Sequence, residues 1–224
     1  NQDALISKDK LLVALSQSNA ELVSGKDLIG VLTKAFNLMG EAFAVDRIYY
    51  FENYFLDDSR GFSNQIVEWV KPGIEPQIDN PELQNIPFSR FGSFYKPLLK
   101  NESVYGLVAN FEPALRQFFE EQGILSIIVI PIFKKDQFAG FIGMDNCTYT
   151  HKWTDLEYTI FESFAYSLKQ AVSRISETLE LELAKEQAEK ALKSKEDFFS
   201  TVSHEIRTPL QTIVGLTEVL KNNS

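Results

Sequence analysis

Apolar residues recur at steps of three and four over residues 3–20 and again over 26–43, which predicts two helices. Residues 46–55 then turn aromatic and β-branched, the composition of a strand, and 62–70 read as its hairpin partner across a turn at 57–61. A stretch punctuated by Pro72, Pro76, Pro81 and Pro87 follows. Its interspersed apolar residues make it a loop held to the domain rather than a linker. Residues 92–100 and 112–122 read as short helices, with a strand at 103–108 between them. The run 125–133 is apolar enough to be a central strand covered on both faces, and the polar turn 134–137 returns it as the strand 138–145. Thr154, three residues before Glu157, forms a capping box that starts a helix just after Trp153. The fold class is therefore α+β: an antiparallel sheet with helices packed against it.

Composition then divides the chain. All but two of the 18 Phe, and all but one each of the 11 Gly and 8 Pro, lie before residue 170. Residues 167–195 contain no Gly, Pro or aromatic residue, so a long helix leaves a turn-rich domain. Along it Leu168, Val172, Ile175 and Leu179 alternate steps of four and three, the seam of a coiled coil, and a parallel homodimer is the economical reading. That register next meets Glu182 and Glu186. A second seam fits Ala184, Ala188, Ala191, Lys195, Phe198 and Val202, so the register slips near 180–184. A signalling helix with two registers and a plain amphipathic helix with a charged face both remain open.

Charge narrows the partners. With 22 Lys+Arg against 31 Asp+Glu the net charge is −9, which disfavours nucleic acid and anionic membrane surfaces. Cys147 stands alone, so no intrachain disulfide and no multi-cysteine metal cluster can form, and no metal site is expected. The longest apolar stretch, 124–133, is too short to span a bilayer. The first residues, Asn1-Gln2-Asp3, are unlike a signal peptide. The expectation is a cytoplasmic piece excised from a longer protein, itself soluble or membrane-tethered.

Residues 122–127 (Gln-Gly-Ile-Leu-Ser-Ile), Ile130-Pro131-Ile132, 140–145 (Gly-Phe-Ile-Gly-Met-Asp) and 153–157 (Trp-Thr-Asp-Leu-Glu) together resemble the C-terminal half of a GAF sensor domain. The strand 46–54 and the strand end Glu68-Trp69-Val70 fit its N-terminal half. The resemblance covers roughly residues 20–172 and implies a ligand-binding or dimerising sensor. A small-molecule pocket between the sheet and the Pro-rich segment follows as an expectation, with Trp69, Phe91, Tyr95, Phe111, Ser126 and Asp145 as candidates; core packing is the alternative for each aromatic. Cys147 beside Asn146 does not resemble a bilin-bearing thiol, and His151 in a turn does not resemble a heme ligand. The dispersed signature of cyclic-nucleotide binders is not assembled here.

Residues 198–210 read Phe-Phe-Ser-Thr-Val-Ser-His-Glu-Ile-Arg-Thr-Pro-Leu and closely resemble the phosphoacceptor box of sensor histidine kinases. Ile206, where Leu is commoner, is the conservative departure. Helical phase gives an independent check: at ~100° per residue, Phe199, Val202, Leu210, Ile213, Thr217 and Leu220 fall within roughly 40° of Ile206. His204 and Thr208 each fall about 160° away, on the opposite face, so His204 is no core histidine. A neutral imidazole nitrogen is the nucleophile that attack on the γ-phosphorus of ATP requires. Glu205 can take the proton from the other ring nitrogen, and Pro209 removes an amide donor and should bend the helix. The resemblance gives Thr208 the role of orienting a water for dephosphorylation of a partner aspartate.

The expected division is an N-terminal helix at 1–19, a GAF domain at 20–170, a signalling coiled coil at 171–195 and the first helix of a phosphoacceptor domain at 196–224. No glycine-rich nucleotide segment follows, so ATP and Mg2+ belong to a catalytic domain outside this sequence and the piece alone should be inactive. The partners implied are a second copy of the chain and a response-regulator receiver domain. The rival reading is a non-catalytic GAF–coiled-coil dimer feeding another output.

Overall fold

The computed structural model describes residues 2–57 and 60–222, with side chains described except at 2–4, 208, 212 and 214–222. The described chain divides between Ile175 and Ser176 into two compact units.

The first unit opens with helices α1 (Gln2–Ser24) and α2 (Leu28–Phe43), the latter capped by Asp27, whose carboxylate accepts the Gly30 amide at 2.8 Å. Strands β1 (Arg47–Asp57) and β2 (Arg60–Val70) form the first hairpin. The Pro-rich stretch is more than a loop: Ile86–Pro87 form a short strand, β3, on the edge of β2, between single 3-10 turns at Pro81–Leu83 and Phe88–Phe91. Helix α3 (Gly92–Leu98), strand β4 (Val104–Leu107) and helix α4 (Pro113–Glu121) follow, then β5 (Ser126–Lys134) and β6 (Gln137–Asn146). Helix α5 (Asp155–Asn222) begins here. The sheet is antiparallel throughout, in the order β3-β2-β1-β6-β5-β4, which matches the α+β class expected.

Local chemistry explains three of the junctions. The β5–β6 turn is tighter than the four residues expected, because Lys134 already pairs with Gln137. Lys135 and Asp136 both hold positive φ, 47° and 65°, the twist that a two-residue hairpin needs. The capping box forms reciprocally: the Glu157 amide donates to Thr154 Oγ1 at 3.3 Å while the Thr154 amide donates to Glu157 Oε2 at 2.8 Å. A bulge lies in β2, where Tyr50 pairs with Val67 but Phe51 pairs with Gln65, so Ile66 is skipped and the strand's alternation resets.

Both faces of the sheet are covered. On one face Ile48, Tyr50, Val67, Ile130 and Met144 meet α1, α2 and the first turns of α5, through side chains such as Leu11, Phe36, Phe161 and Leu168. On the other, Tyr49, Phe51, Ile127 and Phe141 meet α3, α4 and the Pro-rich segment, through Leu83, Phe94, Leu115 and Phe119. Helix α1, drawn as a separate element from the sequence, is part of the first core: Leu11, Ala14 and Leu22 are buried, and Ser18 Oγ donates to the Ala35 carbonyl. The coiled-coil expectation needs a similar correction. Leu168 and Val172 are buried in this unit's own core, so they cannot begin a seam between two chains.

Candidate functional site

In the first unit the α3–α4 face of the sheet holds a small, partly open cavity of about 40 Å³. Its apolar wall includes Phe91, Phe94, Tyr95, Leu115, Phe119 and Phe141. Its floor is polar, because strand alternation brings Arg47 and Tyr49 of β1, Gln65 and Glu68 of β2, and Asp145 of β6 to this side. Arg47 and Asp145 face each other across β1 and β6, and Arg47 Nε donates to Asp145 Oδ1 at 2.9 Å with both side chains buried. The guanidinium also reaches the Gln122 carbonyl at 3.2 Å. Burial works to lower the Arg47 pKa, but the Asp145 carboxylate outweighs it and holds the group above its ordinary value. Burial pushes Asp145 and Glu68 upward. Glu68 Oε2 accepts the amides of Gln77 and Ile78 at 2.7 and 2.9 Å, fastening the Pro-rich segment over the sheet.

Of the six candidate pocket residues, the structure brings Phe91, Tyr95 and Asp145 to this cavity. Trp69 does not line it. With the alternation reset at the bulge, Trp69 lies on the α2 side, where a Cβ on Gly40 would come within 2.2 Å of its ring and Nε1 donates to Asn37. Phe111 packs beside Phe119, ring centres 5.9 Å apart, in the surrounding core. Ser126 is fully buried and its hydroxyl accepts the His151 amide at 3.1 Å. Sequence reasoning missed Arg47, Glu68 and Gln65. The available signal was an ionisable or amide side chain inside otherwise apolar strands. Cys147 donates to Asp145 Oδ1 at 3.4 Å, and burial pushes its thiol up to about 12, so it is no ready nucleophile.

The second unit is the remainder of α5. Its apolar residues are largely uncovered within one chain: Phe199, Ile206, Leu210 and Ile213 are each more than half exposed. They lie on the stripe expected from helical phase, and His204 and Glu205 are exposed as well. Successive helical positions diverge by about 100°, so Glu205 flanks His204 on the helix surface. Thr208's side chain lies outside the described residues. The helix continues past Pro209 to Asn222, and because proline has no amide hydrogen the Glu205 carbonyl lacks its intrahelical donor. Among the described residues no three or more His, Cys, Asp or Glu gather as a metal site, and no helix is long and apolar enough to cross a membrane.

The sequence model of the GAF domain matches residues 27–172, most of the chain. The chain belongs to the GAF family. The GAF domain's likeness extends to solved structures: a phycocyanobilin-bound GAF domain from a cyanobacterial phytochrome superimposes with a TM-score of 0.58 at 16% identity, covering 74% of this chain and 94% of that one. At that identity the likeness concerns the fold alone. Beyond the GAF domain, residues 194–224 match the His Kinase A (phospho-acceptor) domain. The methanogenesis regulatory histidine kinase FilI of Methanothrix harundinacea (strain 6Ac) is 33% identical over 98% of this chain, which spans 26% of that relative. The signal transduction histidine-protein kinase BarA of Escherichia coli (strain K12) is 38% identical over 66 residues, 26% of this chain and 7% of the relative. The chain thus spans about a quarter, or less, of these histidine kinases, and joins a GAF domain to phosphoacceptor-type sequence.

Proposed function

We propose that this chain is the cytoplasmic sensory and phosphoacceptor portion of a histidine protein kinase, with His204 as the phosphorylated residue. The observation that carries the reading is the position of His204 in Ser203-His204-Glu205-Ile206-Arg207-Thr208-Pro209-Leu210: exposed, on a helix, and opposite the stripe of Phe199, Ile206, Leu210 and Ile213. That stripe would pack in a helical bundle with a second copy of the chain, leaving His204 open to a catalytic domain carrying ATP and Mg2+. The unprotonated imidazole nitrogen attacks the γ-phosphorus; an N–P bond forms, the bond to the bridging oxygen breaks, and ADP leaves with the electron pair. Glu205 takes the proton from the other ring nitrogen and so neutralises the developing imidazolium. The phosphoryl group then passes to an aspartate of a response-regulator receiver domain. Thr208 positions water for its later hydrolysis.

The test is labelling with γ-labelled ATP after supplying the parent's catalytic domain. An acid-labile phosphoramidate at His204, abolished by His204→Gln, is the expected result. A label that survives His204→Gln overturns the assignment.

A further inference from the structure

The polar atoms of the GAF cavity do not balance. Two carboxylates and one guanidinium line it, and the guanidinium is already committed to Asp145 Oδ1 and the Gln122 carbonyl. Glu68 Oε2 is likewise committed to two backbone amides. Asp145 Oδ2 and Glu68 Oε1 remain buried without a hydrogen-bond partner, although the Asp145 side chain is only 1% exposed. Gln65 Oε1, on the same floor, is in the same condition. An ionised carboxylate oxygen can only accept hydrogen bonds, and leaving one unpaired in an apolar enclosure is costly. Such a floor asks for donors, and two carboxyl groups against one guanidinium, already engaged, favour a cationic donor that would hold them ionised. Phe91, Phe94, Tyr95, Phe119 and Phe141 line the rest of the cavity, an aromatic wall that favours a planar apolar body and tolerates a cation.

We propose that the cavity binds a small planar organic cation, an amidinium or guanidinium on a flat apolar body, with its N–H groups donating to Asp145 Oδ2 and Glu68 Oε1. This rests on the reading of the GAF domain as the sensory part of the chain and names the chemical class of its signal. An anionic ligand is disfavoured by the same geometry, since Arg47 is engaged and both unpaired carboxylate oxygens would repel it.

Benzamidine, benzamide and benzoate share one ring and differ in charge and donors, so they serve as probes. Titrated calorimetrically into the intact chain, benzamidine should bind saturably at one site per chain, at least about tenfold tighter than benzamide, with benzoate not binding. Glu68→Gln, which keeps one acceptor oxygen but removes the charge, should weaken benzamidine at least about tenfold at an unchanged far-UV spectrum. Nuclear Overhauser contacts from the benzamidine ring to Leu115 and Tyr95 in the unaltered chain place the probe independently, even where Glu68→Gln fails to fold. Benzoate or benzamide binding as tightly as benzamidine, undiminished binding to folded Glu68→Gln, or absence of those contacts overturns the proposal. Labelling of His204 does not depend on any of these outcomes, so failure here leaves the phosphoacceptor reading standing.

Discussion

Leu168 and Leu179 sit three turns apart on the same helix and in the same apolar rhythm, yet Leu168 is 0% exposed and Leu179 is 56% exposed. Before Ser176 the apolar stripe of α5 finds its partners inside the chain, in Phe36, Met39 and the sheet. After it, Leu179, Leu192, Phe199 and Ile206 find none of comparable cover within the described chain. Identical patterning therefore meets two fates: one stretch holds a domain together, and the other is left uncovered within the described chain. Function divides along the same line. The first unit encloses a cavity, and the second displays a histidine.

The contrast can be broken by mutation. The largest expected effect is Phe164→Ala, which empties a fully buried position touching Phe36 and Phe161; urea unfolding followed by Trp69 and Trp153 fluorescence should lose ~4 kcal/mol. A loss under ~1 kcal/mol would mean that this stretch of α5 does not hold the domain.

Asp46→Asn is next, at about 3 kcal/mol near neutral pH. The Asp46 carboxylate accepts the Cys147 and Thr148 amides at 2.8 Å and the Thr148 hydroxyl at 2.7 Å, with Lys71 Nζ at 3.6 Å. Burial pushes its pKa up, but these partners outweigh it and the group sits below its ordinary value. A folded-state pKa below the unfolded one stabilises above the unfolded value and is lost as pH falls through the folded one. Acid titration of unfolding stability should therefore decline below about pH 4 in the parent and decline less in Asp46→Asn. Equal slopes would remove Asp46 from the account.

In the second unit, changes should alter chemistry without altering domain stability. Glu205→Gln should cut autophosphorylation by ~10²-fold, measured with the catalytic domain supplied, while Thr208→Ala stays within about tenfold and instead slows loss of phosphate from the receiver. Equal losses in the two variants, with the helix intact, would place Thr208 in the kinase step. The smallest effect is Leu179→Ala, which should move tryptophan-monitored unfolding by less than ~0.5 kcal/mol while raising the dissociation constant of the dimer in sedimentation equilibrium. A larger shift would erase the contrast between the two leucines.

What was legible in the sequence was local. The Thr154–Glu157 capping box and the two hairpins depend on neighbouring stretches of chain, and the structure has both, the hairpins with tighter turns than expected. The cavity floor was not legible, since Arg47 and Asp145 are 98 residues apart and nothing near either marks the other. Simple alternation carries Trp69 to the cavity side and does not foresee the bulge at Ile66 that turns it away. Leu168 and Val172 read as dimer positions because three-and-four spacing is the same whether the covering surface belongs to the same chain or to another.

The sheet's borders bear on solubility. Its outermost members are short, two residues in β3 and four in β4, and β4 pairs with β5 only as far as Val129. From Ile130 onward the most apolar strand of the protein has no strand partner on that side among the described residues, yet Ile130, Pro131 and Ile132 stay buried. Pro131 stands there without an amide hydrogen to offer, and Lys134 adds a charge at the strand's end. Strand β4 thus covers Ile127-Ile128-Val129, and just past its last pair one imino acid leaves any would-be neighbour short of a donor.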